Sequence, residues 1–201
     1  MRKVIAEIAI SLDGYIEGKN GELDWLVFDE ETSYVSDFLS RFEVVFYGRN
    51  AYERFGIYLA TEVSSNANTE YRDEVNNMRK YVFTKTLKHV PGNAMVINSR
   101  IAEQVRSIKE EDGKDIWLCG GAHIICAFAE LDLIDEYLLA VQPVVLGAGT
   151  PLFINISRRI RLELMNAEQL ASGVVILNYK PVVNDGVKGV SNRHGKMPIS
   201  T

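Results

Sequence analysis

Cysteine and histidine are scarce in this sequence of 201 residues, which contains two cysteines and three histidines. The spacing of Cys119 and Cys126 suits neither a zinc cluster nor a disulfide framework, so we interpret both as small buried hydrophobic residues. The histidines, at positions 89, 123 and 194, have no paired ligand spacing. We therefore predict that the protein binds no metal.

The chain also lacks an excess of basic residues and any apolar run of membrane-spanning length. Its 22 basic and 27 acidic residues give a net charge of −5, which would repel a nucleic-acid backbone. Met1 to Val4 leads directly into a strand pattern, so no signal peptide is expected. We predict a cytoplasmic protein that acts on a small molecule and binds neither nucleic acid nor a membrane.

Short apolar runs alternate with helical patterns, which indicates strands alternating with helices. Arg159–Met165 and Val174–Tyr179 flank a turn and predict a closing antiparallel hairpin. The predicted fold is α/β with three layers, in which helices cover both faces of a mostly parallel central sheet. The other predicted strands are Lys3–Ile10, Glu43–Tyr47, Lys80–Phe83, Ala94–Ile97, Ile116–Cys119 and Ile134–Val145, the last interrupted at Pro143.

The strand and helix patterns fade beyond Pro181 into a polar segment that contains several glycines. We predict one domain over residues 1–180 and a C-terminal tail over residues 181–201, flexible or packed on a partner. A second polar stretch, Thr61 to Thr69, is predicted to be an excursion that could shape substrate entry.

Gly120 and Gly121 join a predicted buried strand to a predicted helix. Two glycines leave the amides of the first helical turn unobstructed, and the positive end of the helix dipole attracts a phosphate. Close packing of the strand on the helix would explain the same pair. For an isolated Gly-Gly we would favour packing, but the rest of the chain adds weight to phosphate binding.

Four strand ends carry motifs that occur in the same order in one known family. Together they resemble the dihydrofolate reductase-like family, most closely the branch that includes the C-terminal reductase domain of riboflavin-pathway enzymes, over about residues 3–180. The resemblance implies a dihydrofolate reductase-like fold, an NADPH-dependent reductase and a homodimer. The motifs are Ser11-Leu12-Asp13-Gly14-Tyr15-Ile16, Gly48-Arg49-Asn50-Ala51-Tyr52-Glu53, Leu118-Cys119-Gly120-Gly121, and Leu133-Ile134-Asp135-Glu136 followed by Pro143 to Phe153.

The resemblance also implies which residues contact the cofactor. Arg49 follows one strand and Lys85 another, so both could meet a phosphate, and this pair favours NADPH over NADH. A solvated role for Lys85 and a local packing role for His123 remain alternatives. The predicted cofactor contacts are Gly48, Arg49, Thr84, Lys85, Gly120, Gly121, Ala122, His123 and Ile124.

Acidic and aromatic residues are expected on the substrate side. Asp13 resembles the family aspartate near the nicotinamide, although a plain Asp-Gly turn explains it equally well. Asp29 and Glu30 follow Trp25 roughly where folate reductases keep an acid, and compensation of a helix dipole is their alternative role. The predicted catalytic residues are Asp13, Asp29 and Glu30, and the predicted substrate contacts are Trp25, Tyr52 and Leu146.

Two departures from the family separate this chain from reductases of known substrate. The Asp-x-Pro segment that holds a ribose phosphate in riboflavin-pathway reductases is missing after Tyr52, and no proline stands beside Trp25. We therefore expect hydride transfer to a C=N or C=C bond of a small conjugated, pterin- or pyrimidine-like substrate. The alternative is a non-catalytic nucleotide-binding protein that keeps the reductase fold.

Overall fold

The computed structural model describes residues 1–27, 34–56 and 69–182. Asp29 and Glu30, most of the polar excursion and the tail beyond residue 182 lie outside the described residues. The predictions that concern them therefore stay predictions. No helix in the described ranges is long and apolar enough to cross a membrane.

Ten strands and five α-helices form the described chain. The strands are β1 (Val4–Ser11), β2 (Tyr15–Glu17), β3 (Phe42–Gly48), β4 (Arg79–Phe83), β5 (Ala94–Ile97), β6 (Asp115–Cys119), β7 (Glu136–Gln142), β8 (Thr150–Pro151), β9 (Leu162–Gln169) and β10 (Val175–Pro181). The helices are α1 (Tyr34–Leu39), α2 (Arg49–Ala51), α3 (Thr69–Asn77), α4 (Ile101–Glu110) and α5 (Ala122–Glu130), and a π-helical turn (Tyr52–Gly56) continues α2.

Eight strands form one sheet in the order β5-β4-β3-β6-β1-β7-β10-β9. The neighbours from β5 through to β7 pair in parallel, and β10 pairs antiparallel with both β7 and β9. The predicted parallel sheet with an antiparallel C-terminal hairpin is confirmed. A separate pair, β2 and β8, joins the loop after β1 to the loop after β7.

The strand predicted from Ile134 to Val145, with an interruption at Pro143, corresponds to β7, which ends at Gln142. Pro143 has no N–H to give to a neighbouring strand, so the ladder stops before it. At the other end, the Asp135 carboxylate accepts the Val4 N–H at 2.7 Å, and the strand begins one residue later than Asp135. The proline thus marks one end of β7 in the sequence, whereas the other end depends on a distant contact that hydropathy does not report.

Apolar side chains cover both faces of the sheet in two clusters. The α4–α5 face contains Val4, Ala6, Phe46 and Leu118, together with apolar residues of α4 and α5. The α1–α3 face contains Ile5, Val45, Tyr47, Trp117 and Leu138, together with Phe38 and Leu39 of α1 and Val75 of α3. Since side chains alternate along a strand, odd-numbered residues of β1 lie on the α1–α3 face.

Candidate functional site

The join between β6 and α5 is tightly packed. A Cβ added at Gly120 would lie 2.3 Å from Cγ2 of Ile124, and one added at Gly48 would lie 3.2 Å from the same atom. Ile124 of α5 thus packs directly over the ends of β3 and β6. Glycine at position 120 is needed for this packing whether or not a ligand binds, and a side chain at position 48 would fit only if Ile124 shifted slightly.

Gly121 differs from Gly120 because it is exposed and only Ile16 lies within 4 Å of its missing Cβ, at 3.6 Å. It is the N-cap of α5, and its backbone is extended with no side-chain cap hydrogen bond. Glycine has no side chain that could accept a hydrogen bond, so nothing at this position covers the amides of Ala122, His123 and Ile124. The His123 side chain lies apart from them, in a groove on the outer surface of α5 with Cys126 and Glu130.

Basic residues follow the ends of β3 and β4, which are adjacent strands. Arg49 begins α2; its guanidinium contacts Glu53 at 2.8 Å and the Thr86 hydroxyl at 3.4 Å, and nearly half of its side chain is exposed. Lys85 is exposed, whereas Thr84 is buried and its hydroxyl accepts the amides of Thr86 and Leu87, both at 3.3 Å. The structure therefore brings Arg49 to the loop that carries Lys85, and Thr84 shapes that loop.

Asp13 fastens the loop after β1 to the loop after β7. Its Oδ1 accepts the Ser11 hydroxyl at 2.7 Å and the Leu146 N–H at 3.1 Å, and its Oδ2 accepts the Gly147 N–H at 2.7 Å. These hydrogen bonds, that of Ser11 first, hold the pKa of Asp13 below its ordinary value. Asp13 is therefore an ionised anchor that positions the Leu146 turn.

Trp25 lies in the half-buried segment that leads to Val27. Its indole N–H donates to the Glu22 carbonyl at 3.0 Å, and the Val27 N–H donates to Oε1 of the buried Gln142 at 2.9 Å. Gln142 ends β7, so this contact holds the Trp25 segment at the carboxyl end of the sheet. The predicted substrate residues Trp25 and Leu146 thus lie in two loops that are both held near the end of β7.

Tyr52 lies in the core, on the side of β3. Its ring packs against Tyr47 with centroids 5.5 Å apart, and its hydroxyl donates to the Pro91 carbonyl. A Cβ at Gly92 would lie 2.8 Å from that hydroxyl, so the loop before β5 closes over the ring. The contacts of Tyr52 in the described chain are those of a packing residue.

Glu7 is a carboxyl that the sequence analysis did not single out. It is the one charged residue within the strand Val-Ile-Ala-Glu-Ile-Ala-Ile-Ser, and it lies on the α1–α3 face of the central strand β1. Burial raises its pKa to about 7, against a smaller lowering by the Trp117 indole. The signal in the sequence is a single acid inside an otherwise apolar central strand.

Two further observations bound the chemistry of the site. Within the described residues, no group of three His, Cys, Asp or Glu side chains could hold a metal ion.

Arg100 lies just after β5, next to the basic loops described above, and the sequence analysis did not predict it. Its signal was a basic residue following a predicted strand.

The chain is similar to known proteins over most of its length. Residues 2–176 match the family model of the RibD C-terminal domain. The uncharacterized protein YyaP of Bacillus subtilis (strain 168) is 41% identical over 178 residues, which are 89% of this chain and 94% of YyaP.

Solved structures show the same fold at lower identity. A structure from Shewanella sp. PV-4, described as that of a riboflavin biosynthesis protein, has a TM-score of 0.71 at 23% identity and covers 90% of this chain and 99% of its own. Dihydrofolate reductase from Enterococcus faecalis, complexed with NADP(H), has a TM-score of 0.61 at 15% identity, with coverage of 89% and 96%. The predicted dihydrofolate reductase-like fold is confirmed, and with a family model that spans most of its length, the chain belongs to the RibD C-terminal domain family.

Proposed function

We propose that this protein is an NADPH-dependent reductase that transfers hydride to a C=N or C=C bond of a small conjugated, pterin- or pyrimidine-like molecule. One observation carries the proposal. The adjacent carboxyl ends of β3, β4 and β6 bring together Arg49, the Lys85 loop and the uncapped first turn of α5. In open parallel sheets, this edge is where ligands bind.

The residues present fit NADPH. The exposed Gly121 leaves the first-turn amides of α5 open to an anion, as a pyrophosphate requires. Arg49 and Lys85 supply positive charge one and two strands away, where a further phosphate of the same molecule would lie. This further phosphate is what distinguishes NADPH from NADH.

When bound, NADPH supplies the hydride, so the chain has to bind the cofactor and the substrate, orient them and exclude water. Asp13 holds the Leu146 turn beside the end of β1, and Gln142 holds the segment that carries Trp25. We assign Asp13 to this positioning role, since an ionised carboxylate that accepts three hydrogen bonds is a poor source of protons.

Calorimetric titration with NADPH and, separately, with NADH tests the proposal. We expect NADPH to bind more tightly, and Arg49→Ala to weaken NADPH by about ten-fold or more while leaving NADH nearly unchanged, since a hydrogen bond to a charged group contributes about 1.5–3 kcal/mol. Lys180→Ala, in β10 and three strands away from β6, is the matched control and should bind like the wild type.

The outcomes separate the hypotheses. If neither nucleotide binds, the reductase proposal fails. If NADPH binds but no pterin, pyrimidine or flavin precursor oxidises it in a screen of absorbance at the reduced nicotinamide band, the non-catalytic alternative stands.

We also propose that the protein forms a homodimer. Leu164 and Met165 are neighbours in the edge strand β9, at an irregularity in its pairing with β10, and about half of each is exposed. Sedimentation velocity of the wild type and of Met165→Lys tests this, because a monomeric wild type would contradict it.

A further inference from the structure

Glu7 lies in the centre of the sheet, close to the proposed cofactor site at the first turn of α5. The pairing of Ile5 with Trp117 and of Ala6 with Leu118, extended by one residue, puts Glu7 beside Cys119. The Cys119 thiol has a raised pKa, caused first by burial and then by the charge of Glu7, which agrees with this position. Gly120 and Gly121 follow Cys119, which places Glu7 one strand away from the proposed pyrophosphate site.

The side chains beyond Glu7 are small. Ala9 is the next residue of β1 on the same face, and its partner on β7 is Ala140. Further on, Gln142 pairs with Ser11 and holds the Val27 backbone. From Glu7 to Ser11 the strand rises roughly 13 Å. The two alanines therefore lie between the Glu7 carboxyl at one end and the polar side chains of Ser11 and Gln142 at the other, and this length suits a flat heterocycle.

Glu7 combines partial exposure with desolvation. The residue is only half-buried, so part of it is open to solvent, yet its carboxyl is surrounded by protein atoms that disfavour the charged form. The titratable groups that face it are the Cys119 thiol in its own row, Tyr47 beyond it on β3, and Glu136 on β7, which is paired with Lys3 and Arg41. A desolvated, accessible carboxyl is suited to holding a proton near neutral pH.

A purely structural role does not explain Glu7. Within the described residues no Lys or Arg pairs with it, whereas Asp135 and Glu136 each contact a lysine. The Trp117 indole N–H lowers the pKa of the carboxyl slightly but forms no fully aligned hydrogen bond in the described chain. An unpaired carboxyl in a central strand weakens folding, and an apolar residue would pack better there.

We propose that Glu7 is the catalytic residue that gives the proton in the reduction. The inference rests on the proposed function. The carbon of a C=N bond accepts hydride from NADPH, which is oxidised to NADP⁺, and the nitrogen accepts the proton of the Glu7 carboxylic acid. The substrate becomes CH–NH, Glu7 becomes a carboxylate, and solvent water returns its proton.

The first test uses a probe that does not depend on turnover. Benzamidine, a planar amidinium, can donate two parallel hydrogen bonds to an ionised carboxylate, whereas benzamide has the same shape without the charge. Calorimetry at pH 8 on the full chain should show benzamidine binding to the wild type and binding at least ten-fold more weakly to Glu7→Gln. Benzamide should not distinguish the two. Glu168→Gln, the same change in β9, is the matched control.

The pH dependence gives a second readout. Because the amidinium needs ionised Glu7, benzamidine affinity for the wild type should fall about ten-fold per pH unit below about 7 and should be flat in Glu7→Gln. Carbon-13 NMR of glutamate-labelled protein, in which Glu7→Gln identifies the resonance, should give a midpoint well above that of the exposed glutamates. Equal benzamidine binding to wild type and a folded Glu7→Gln, or a Glu7 midpoint near 4.5, would overturn the inference.

Turnover gives the third readout and separates this inference from the proposed function. With the heterocycle that oxidises NADPH fastest in the screen, kcat of the wild type should fall as pH rises through about 7, while Glu7→Gln should be slower, with a flat profile and unchanged NADPH affinity. If kcat of Glu7→Gln depends on pH as that of the wild type does, the role of Glu7 is wrong and the proposed reductase function still stands. If NADPH does not bind but benzamidine binding depends on Glu7, the proposed reductase function and the proton-donor role both fail, and Glu7 is only part of a site for cationic ligands.

Discussion

The Asp13 carboxylate accepts the backbone N–H of Gly147 at 2.7 Å, which joins two loops 134 positions apart in the sequence. Because the same carboxylate also accepts the Leu146 N–H, it sets the position of the whole turn after β7. The relationship leads to the first prediction.

Asp13→Asn should loosen this turn, since an amide has only one acceptor oxygen and its NH₂ group would face a backbone N–H. The folded pKa of Asp13 lies below its ordinary value of 3.8, so its contribution to stability is present above that value and is lost as pH falls through the lower folded pKa. The difference in Tm between wild type and Asp13→Asn should therefore be present at pH 6 and shrink at acid pH. A difference that does not change with pH would contradict this.

The two glycines of the same turn should tolerate alanine unequally. Gly147 has φ +71° with open space at its Cβ position, so Gly147→Ala should cost roughly 1–2 kcal/mol for the left-handed backbone alone. Gly149 has φ +157°, and its Cβ would lie 2.1 Å from the Glu17 carbonyl oxygen, so Gly149→Ala should cost roughly 3 kcal/mol or more. Urea unfolding of the two variants gives the comparison; equal losses would show that β2 and β8 do not depend on this close approach.

The partly buried ion pair near the start of β7 should matter more than an exposed one. Lys109 Nζ lies 2.6 Å from Asp135 Oδ2, and the two side chains are 8% and 34% exposed, whereas those of the Lys180–Glu163 pair are 43% and 57% exposed. Lys109→Ala should lower the free energy of unfolding by about 2 kcal/mol, because it removes a hydrogen bond between charged groups. Lys180→Ala should change it by less than about 1 kcal/mol in the same denaturation experiment.

Glu7 should make the protein less stable at neutral pH than at mildly acid pH. Its folded pKa of about 7 exceeds the ordinary 4.5, so the folded state binds this proton more tightly, and the stability it contributes is lost as pH rises through about 7. Glu7→Gln should remove this dependence and be more stable than the wild type at pH 8, by roughly 2–3 kcal/mol. Thermal melts from pH 4.5 to pH 8 provide the measurement, and parallel curves for the two proteins would refute it.

Hydropathy and turn residues were enough to predict the sheet. The parallel strands and the C-terminal hairpin follow from apolar runs separated by helical patterns, because both signals are local. The break at Pro143 was also predicted, but the start of β7 was harder to place, since it depends on Asp135 reaching Val4 across 131 positions. Contacts of this range leave no trace in a sequence window.

The candidate site was predicted unevenly for a similar reason. Gly121 and Arg49 follow strand ends, and family motifs point to them directly. Glu7 escaped notice because one acid in an apolar strand has no motif, and its importance comes from what lies beside it on β6 and β7. The contacts of Tyr52 likewise depend on Pro91, which belongs to a different loop.

The position of β1 between β6 and β7 has a consequence for synthesis of the protein. β1 pairs only with strands that follow it by more than 100 residues, so it stays unpaired while the segments between are synthesised. Until residue 119 has emerged this apolar strand has no partner in the sheet, and until residue 142 has emerged one of its edges stays open, which exposes the nascent chain to aggregation and makes folding slow. Fragments that end before β6 should therefore need chaperones, and a split protein should regain its fold only when the N-terminal piece meets the rest of the chain.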